Sequence, residues 1–279
     1  MGRARVSSSA IEAEDGAVAT LVSFHAHPDD EAITTGGTLA KASAEGHRVV
    51  VVFATRGEHG ECHPDLLLPG ESLADRRTAE ANAASAVLGV HRTVFLGYLD
   101  SGMAGEPTNE DENCFSRADV DEAASRLASI LEVEKAEVLT VYDSNGGYGH
   151  PDHIQVHRVG LRAAEIAGVK RVLQATMNRD HLRRLIEAAR GLDLGIDELP
   201  EPDSFDDFGL PENEITTAVD VTSYCVAKRA AMAAHASQIA ETSVFTGLPE
   251  GAFEATWGTE WFAKIGSGTA LSEESVFMT

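Results

Sequence analysis

An apolar, strand-like run that empties directly into a crowd of ionisable side chains is the strongest constraint this chain places on its own fold. Val18 to Phe24 (Val-Ala-Thr-Leu-Val-Ser-Phe) has the composition of a buried strand, and His25-Ala26-His27-Pro28-Asp29-Asp30-Glu31 follows without a spacer. Pro28 ends the strand while suiting the first turn of a helix that is expected to continue through Ala32 to Ala44. Strand, turn and helix in that order place the cluster at the carboxyl end of a sheet strand, where open α/β sheets hold their ligands. His27 and Asp30, three apart across a tight turn, can aim at one cation, and imidazole nitrogen with carboxylate oxygen suits Zn²⁺. Taken alone the spacing is weak, because composition predicts about one His-x-x-Asp by chance.

A second cluster gives it weight. Tyr148-Gly149-His150-Pro151-Asp152-His153 follows another apolar run, Ala136 to Tyr142, and again opens a helix. Core packing or helix capping explains a single histidine more readily than it explains two such turns at two strand ends. The connection from Asp143 to Gly149 is glycine-rich, which permits close approach of backbone to a ligand.

The pair Ala26-His27-Pro28-Asp29-Asp30-Glu31 and His150-Pro151-Asp152-His153 resembles the zinc N-deacetylases of the PIG-L/LmbE-like family, which remove acetyl from N-acetylglucosaminyl groups or cleave related amides. Gly36-Gly37, Thr55-Arg56-Gly57-Glu58, Asp100-Ser101-Gly102-Met103, Pro211 to Thr216, Val219-Asp220-Val221 and His235-Ala236-Ser237-Gln238 are similar to that family in order and spacing. The likeness runs from about residue 18 to about residue 240 and is greatest to members acting on mycothiol and its precursor.

The rest of the chain alternates. His47 to Thr55 is an unbroken β-branched run of the kind buried on both faces in a parallel sheet. Further strands are expected at 93–96, 136–142, 171–176 and 216–221, and helices at 72–88, 118–131, 152–167, 180–190 and 223–239. This pattern predicts a Rossmann-like α/β fold with a mostly parallel sheet flanked by helices, a single domain over 18–279 behind a tail of residues 1–17. The loop 97–116 is long enough to be functional, the run Pro200 to Glu214 is acidic, and beyond Glu241 the periodicity fades.

Lysine and arginine number 22 against 45 aspartates and glutamates, a net charge of −23. No basic stripe is available for a nucleic-acid backbone or an anionic membrane, and neither is expected as a partner. No segment has the length and apolarity of a signal peptide or a membrane span, so a cytoplasmic location is expected. Cys62, Cys114 and Cys225 are odd in number and far apart, as reduced thiols are. Cys62 lies near His59 and His63, a grouping that admits a second metal site, although a polar loop is the plainer account.

The resemblance implies a zinc-dependent deacetylase in which His27, Asp30 and His153 hold Zn²⁺ and leave a coordination position open for an activated water. Asp29, one residue from a ligand, is then the general base. His150 is the general acid or oxyanion donor, Asp152 fixes the His150 tautomer, and the Tyr148 hydroxyl is a further oxyanion donor. His25 competes as a ligand but precedes the turn, and is read as a packing or supporting residue. Arg77 is the substrate-binding candidate, although Arg77 and Glu80, one helical turn apart, serve equally well as a surface ion pair. Asp100 is expected to accept hydrogen bonds from sugar hydroxyls.

The expected substrate is an N-acetylated sugar, with an amide of a mycothiol-like thiol conjugate as the alternative. A silent sugar-binding domain would not need a base beside a metal ligand, and a phosphatase would want more positive charge. The acidic run near the site mouth favours a neutral acetylated sugar over an anionic one. Homo-oligomerisation is left open.

Overall fold

The computed structural model describes residues 18–190, 201, 205–241, 243, 245–266 and 271–277. The expected tail of residues 1–17 and part of the run 200–214 lie outside the described residues. The elements are β1 (Thr20–His25), α1 (Asp30–Thr34), α2 (Gly36–Ala44), β2 (Arg48–Phe53), α3 (Leu73–Leu88), β3 (Arg92–Phe95), α4 (Val120–Glu134), β4 (Val138–Tyr142), α5 (Pro151–Ala167), β5 (Arg171–Thr176), α6 (Arg179–Ala189), β6 (Thr217–Asp220), α7 (Cys225–Ala234), α8 (Glu250–Trp257) and β7 (Thr259–Lys264).

One seven-stranded sheet runs in the order β3-β2-β1-β4-β5-β7-β6. The first five strands of that order are parallel, and β7 pairs antiparallel with both β5 and β6. The expected mostly parallel α/β sheet is therefore present. Alternation along the strands fills two layers. Leu21, Val49, Val51 and Phe53 join one buried cluster with Leu39, Leu88 and Met232. Val22, Phe24, Val50 and Val52 join another with Leu127, Leu131, Val156 and Val159. Successive strand residues point to opposite faces, so a run such as Val49–Phe53 must be apolar throughout when helices cover both.

Chain direction reverses around β1. The chain goes from β1 outward to β2 and β3, then returns to place β4 on the other side of β1. The carboxyl ends of β1 and β4 flank this switch point, where ligands bind in doubly wound sheets. Both polar clusters leave from these two ends.

The expected long first helix breaks in two at Thr35 (φ −134°, ψ 3°). The N–H groups of Gly37 and Thr38 donate to Glu260 Oε1 and Oε2 at 2.8 and 2.7 Å, so a side chain of β7 takes donors that a continuous helix would give to its own carbonyls. A side chain at Gly37 would also strike Val221, whose Cβ lies 2.5 Å from the position a Gly37 Cβ would take. The helix expected over 223–239 ends at Ala234, and α8 and β7 form in the tail where the sequence showed no period.

Glu134, at the end of α4, ties the starts of β2 and β3 together through Arg48 Nε at 2.6 Å and Arg92 Nη1 at 2.7 Å. The Arg48 hydrogen bond leads the interactions that hold its carboxyl below the usual range of 4.5, with Arg92 adding to it against partial burial. A depressed carboxylate stabilises the fold above its unfolded pKa and loses that contribution as pH falls through the folded value. The stability gap between wild type and Glu134→Gln should therefore be largest near neutrality and shrink on acidification from about pH 4.5 downward. Urea midpoints measured from pH 3 to pH 7 test this, and a gap that is constant with pH would contradict it.

Candidate active site

At the end of β1 the backbone makes an unusual turn. Asp29 has φ 115° and ψ −34°, one of two non-glycine residues with positive φ among those described. Such a conformation costs of order 1–3 kcal/mol and persists where surroundings over-determine it. Here Arg77 Nη2 donates to Pro28 O at 2.6 Å, Asp29 N–H donates to Glu31 Oε2 at 2.9 Å, and Ala32 and Ile33 donate to Asp29 O, both at 3.1 Å. His27 N–H donates to Asp30 Oδ2 at 2.9 Å, which turns that carboxylate back toward the His27 ring.

The end of β4 is shaped by Asp143, whose carboxylate accepts from Asn145 N and Gly147 N, each at 3.0 Å, and from Thr176 Oγ1 at 2.7 Å. Gly146 has φ 63°, and a Cβ there would lie 2.4 Å from the His153 Cβ, so glycine is needed both for the turn and for the approach of α5. His150 caps α5, its Nδ1 accepting from Asp152 N–H at 3.1 Å, and Pro151 occupies the first helical position.

The two turns, with His27 and Asp152 125 positions apart, meet. Asp30 Oδ2 lies 3.5 Å from His27 Nδ1 and Asp30 Oδ1 lies 3.4 Å from His153 Nε2. His27 Nε2 faces Asp152 Oδ2 at 3.1 Å and Asp100 Oδ1 at 3.4 Å. These partners make Nε2–H a donor and leave Nδ1, toward Asp30, as the nitrogen that a cation would take in exchange for a proton. His153 Nδ1 faces the Gly146 carbonyl at 3.1 Å, so Nδ1 is the donor and Nε2 carries the lone pair. That Nε2 is buried with no protein partner. Buried imidazole nitrogens and carboxylates gathered in this way are the donor types that a divalent cation such as zinc takes, although the sets whose ligand atoms all lie within 4.8 Å of one another omit Asp30. Two neighbouring sets share the space: one ligand atom each from His27, His150 and His153, or from His27, Asp100 and Asp152, lie within 4.8 Å of one another.

Electrostatics follow from burial and crowding. Burial disfavours a charged His27, but the Asp100, Asp152 and Asp30 carboxylates outweigh it and raise its pKa well above 6.5. Burial pushes Asp29 up to about 6 against the opposing pull of Arg77. Burial, with His27 and His153 alongside, lowers His150 to about 4. Burial raises the Tyr148 hydroxyl, with Asp30 adding to the effect.

Not every expected residue sits as its spacing implied. Asp152 does not hold the His150 ring. Its carboxylate faces His27 and is itself held by Ser101, whose N–H donates to Oδ2 at 2.9 Å and whose hydroxyl bonds Oδ1. The reason is that Asp152 lies in the first turn of α5, pointing across the switch point, while His150 is committed to the helix cap. Arg77 and Glu80 are both buried and do not pair. Arg77 donates to Gly57 O at 2.9 Å and to Pro28 O, and lies 3.4 Å from Asp29 Oδ2, whereas Glu80 accepts from Ser237 N and Oγ at 2.9 and 2.6 Å. Arg77 thus braces the back of the Asp29 turn. Asp100 is 4% exposed and accepts from Gly102 N and His59 N. Tyr148 stands at the mouth, 42% exposed and stacked on Phe208 at 5.9 Å, and lines a cavity of about 660 Å³ together with Asn145, Arg179, Asp206, Asp207 and Glu214. Arg77 and Asp100 do not line that cavity.

His25 is buried as a supporting residue, within 2.7 Å of Ser23 Oγ and 3.0 Å of the Tyr142 hydroxyl, and burial lowers it to about 4. The grouping of Cys62 with His59 and His63 does not form. Cys62 Sγ contacts His63 O at 3.5 Å, His63 faces Asp65, and both metal-competent sets among the described residues contain His27. Glu31, Tyr142, Ser101 and His235 received no role from sequence. His235 and Glu31 stand within motifs already noted, but nothing local reveals that they touch.

A doubly wound α/β sheet with a histidine–carboxylate nest at its switch point and a further carboxylate beside it is the architecture of a hydrolase. Residues 22–164 match the family described as PIG-L, GlcNAc-PI de-N-acetylase, and the chain belongs to that family. The 1D-myo-inositol 2-acetamido-2-deoxy-alpha-D-glucopyranoside deacetylase of Thermobispora bispora is 39% identical over 264 residues, covering 85% of each chain. The protein of the same name from Acidothermus cellulolyticus is 40% identical over 269 residues, 91% of this chain and 90% of that one. The N,N'-diacetylchitobiose deacetylase of Pyrococcus horikoshii shares the fold, with a TM-score of 0.55 at 20% identity over 88% of this chain and 83% of that one. The family expected from the two motifs is borne out.

Arg77→Lys should test the brace. A lysine keeps the charge but cannot serve both carbonyls and Asp29, and the exposed deficit of about 1–3 kcal/mol should appear as a lower urea midpoint. Unchanged stability would mean that the turn is held without the guanidinium fork.

Proposed function

We propose that this chain is an N-deacetylase of neutral N-acetylglucosaminyl small molecules, an inositol conjugate foremost, using zinc held by His27, Asp30 and His153. The observation that carries the reading is the buried, partnerless Nε2 of His153 facing the same aspartate as the His27 ring. Bound zinc supplies Lewis acidity toward an amide carbonyl and toward water. Asp29, partly exposed beside Asp30, takes the proton from the attacking water. The Tyr148 hydroxyl, at the mouth with its ring 5.0 Å from that of His153, donates to the oxygen that gains charge. His150, whose ring lies 4.6 Å from that of His27 and whose Nδ1 is occupied by the Asp152 N–H, donates from Nε2 to that same oxygen, and Asp29 passes the proton it took to the departing amine. Asp152 keeps His27 oriented, and Asp100 accepts a substrate hydroxyl with a lone pair left free by its backbone donors.

Charge supports a neutral substrate. Asp206, Asp207 and Glu214 line the cavity beside Tyr148, and the one arginine there, Arg179, already donates to Phe208 O and Gly209 O at 2.9 and 2.8 Å. A reducing, cytosolic setting belongs to the same proposal and rests on the free thiols of Cys62, Cys114 and Cys225.

Elemental analysis of purified protein should give one zinc per chain, falling sharply in His27→Ala and in His153→Ala. Full metal content in His153→Ala alone would move the ligand set to His27, Asp100 and Asp152, and full content in both variants would overturn a metal site at this nest. Asp29→Asn should keep the metal and lose about 10²–10⁴-fold in kcat, as removal of a general base does. For the substrate, amine release is to be compared across N-acetylglucosaminyl inositol, other N-acetylglucosamine glycosides, phosphorylated counterparts and thiol-conjugate amides. A preference for the phosphorylated members would overturn the charge argument, and release only from thiol conjugates would make the chain an amidase of that class.

A further inference from the structure

Asp29 stands at the N-cap of α1, and an aspartate there ordinarily turns its carboxylate onto the exposed N–H groups of the first helical turn, with backbone dihedrals in the extended region. This one does neither. Its φ is 115° and its side chain makes no capping hydrogen bond, which leaves the carboxylate beside Arg77 and the metal nest. The backbone N–H of Asp29 is taken instead by Glu31 Oε2 at 2.9 Å. Glu31 is 0% exposed, and its other oxygen, Oε1, is 2.7 Å from His235 Nε2, equally buried and 204 positions away in the chain.

His235 is in turn fixed from several sides. It follows the last residue of α7, its N–H bonds Met232 O at 3.1 Å, and its carbonyl accepts from Gln238 and Ile239 at 2.9 and 2.8 Å. Two residues on, Ser237 is held by Glu80 of α3, the helix that also carries Arg77. Two elements on one face of the sheet therefore grip the Asp29 turn, Arg77 through Pro28 O and the Asp29 carboxylate, and His235 through Glu31. No other described group hydrogen-bonds either Glu31 carboxylate oxygen.

We propose that Glu31 and His235 are positioning residues for the deacetylation. The His235-anchored Glu31 carboxylate holds the Asp29 backbone out of the capping conformation and so keeps its carboxylate available as the base. The inference rests on the reading of Asp29 as general base. Without the anchor, Glu31 is free to release the Asp29 N–H, the backbone relaxes to negative φ, and the carboxylate folds onto the helix end.

The test compares His235→Ala, His235→Gln and Asp29→Asn as zinc-loaded full-length protein, with N-acetylglucosaminyl inositol as substrate. Glutamine carries a donor where the ring carries Nε2, so His235→Gln should restore most of the turnover that His235→Ala loses. The alanine variant should fall about 10- to 100-fold in kcat, as a small misplacement of a catalytic group does, with KM and zinc content unchanged. A crystal structure of His235→Ala should show Asp29 with negative φ. Wild-type kcat in folded His235→Ala overturns the proposal, and so does an equal loss in the alanine and glutamine variants accompanied by loss of zinc, which marks a merely structural role. Should His235→Ala not fold, His235→Asn takes its place, because its amide reaches only the position of Nδ1, and turnover equal to His235→Gln overturns the proposal. Full activity in Asp29→Asn would instead sink the base assignment itself.

Discussion

The parallel pairing of β1 with β4 is the constraint on which the site depends. Leu21 lies opposite Val138, Val22 opposite Leu139 and Ser23 opposite Thr140, and the two turns that carry His27 and His153 begin a few residues beyond that ladder. Because side chains alternate along a strand, a slip of one residue in either strand would send its apolar set to the wrong layer and carry the turn with it. Ser23 Oγ and Thr140 Oγ1, 2.6 Å apart in the core, add a polar lock to the apolar one. Tyr142 continues the connection, its hydroxyl near Ala26 N and His25 Nδ1 while its ring stacks on His153 at 4.4 Å.

Burying so many ionisable groups at one place is costly unless each is paired. Asp30, Asp100, Asp152, His27, His153, Glu31 and His235 are all under 9% exposed, and almost every one meets an opposite or hydrogen-bonding partner at the distances given above. His153 Nε2 and His235 Nδ1 lack hydrogen-bond partners, and the imbalance around the first has a sign. The Asp29, Asp30, Asp100 and Asp152 carboxylates face one guanidinium, that of Arg77, and the imidazoles between them. A divalent cation would be the largest local charge in such a nest and would complete it. The Lys228–Glu260 pair plays a different part. It is fully buried away from the nest, bonds Ile33 O and the start of α2, and fixes where the helix carrying Asp30 and Glu31 ends.

The turn at Asp29 shows how strain is distributed. Arg77 from α3 bonds Pro28 O and flanks the Asp29 carboxylate, Glu31 from α1 takes the Asp29 N–H, and His235 beyond α7 holds Glu31; the aspartate that results leaves its side chain off the helix end, partly exposed beside the nest. A conformation that disfavours itself locally is retained because three separately packed elements agree on it.

The strand–helix alternation, the two-faced burial of Val49 to Phe53 and the pairing of two His/Asp turns with strand ends were legible in the sequence, because each is a local consequence of periodicity and of proline and glycine placement. They sufficed for the fold class, while the family and the roles of His27, Asp30 and His153 came from the resemblance of the two motifs. What only the tertiary structure decided involves partners far apart in the chain. Asp152 turned to His27 and not to its neighbour His150, because a helix cap claimed the latter. Arg77 turned inward to a turn formed some fifty residues earlier. The first helix broke at Thr35 because Glu260, 223 positions from Gly37, took its donors, and β7 entered between β5 and β6 without any alternation strong enough to announce it. Local propensity governs which elements form, whereas the aim of a buried polar side chain is set by whichever donor or acceptor packing brings within about 3 Å, and a single sequence does not record that distance.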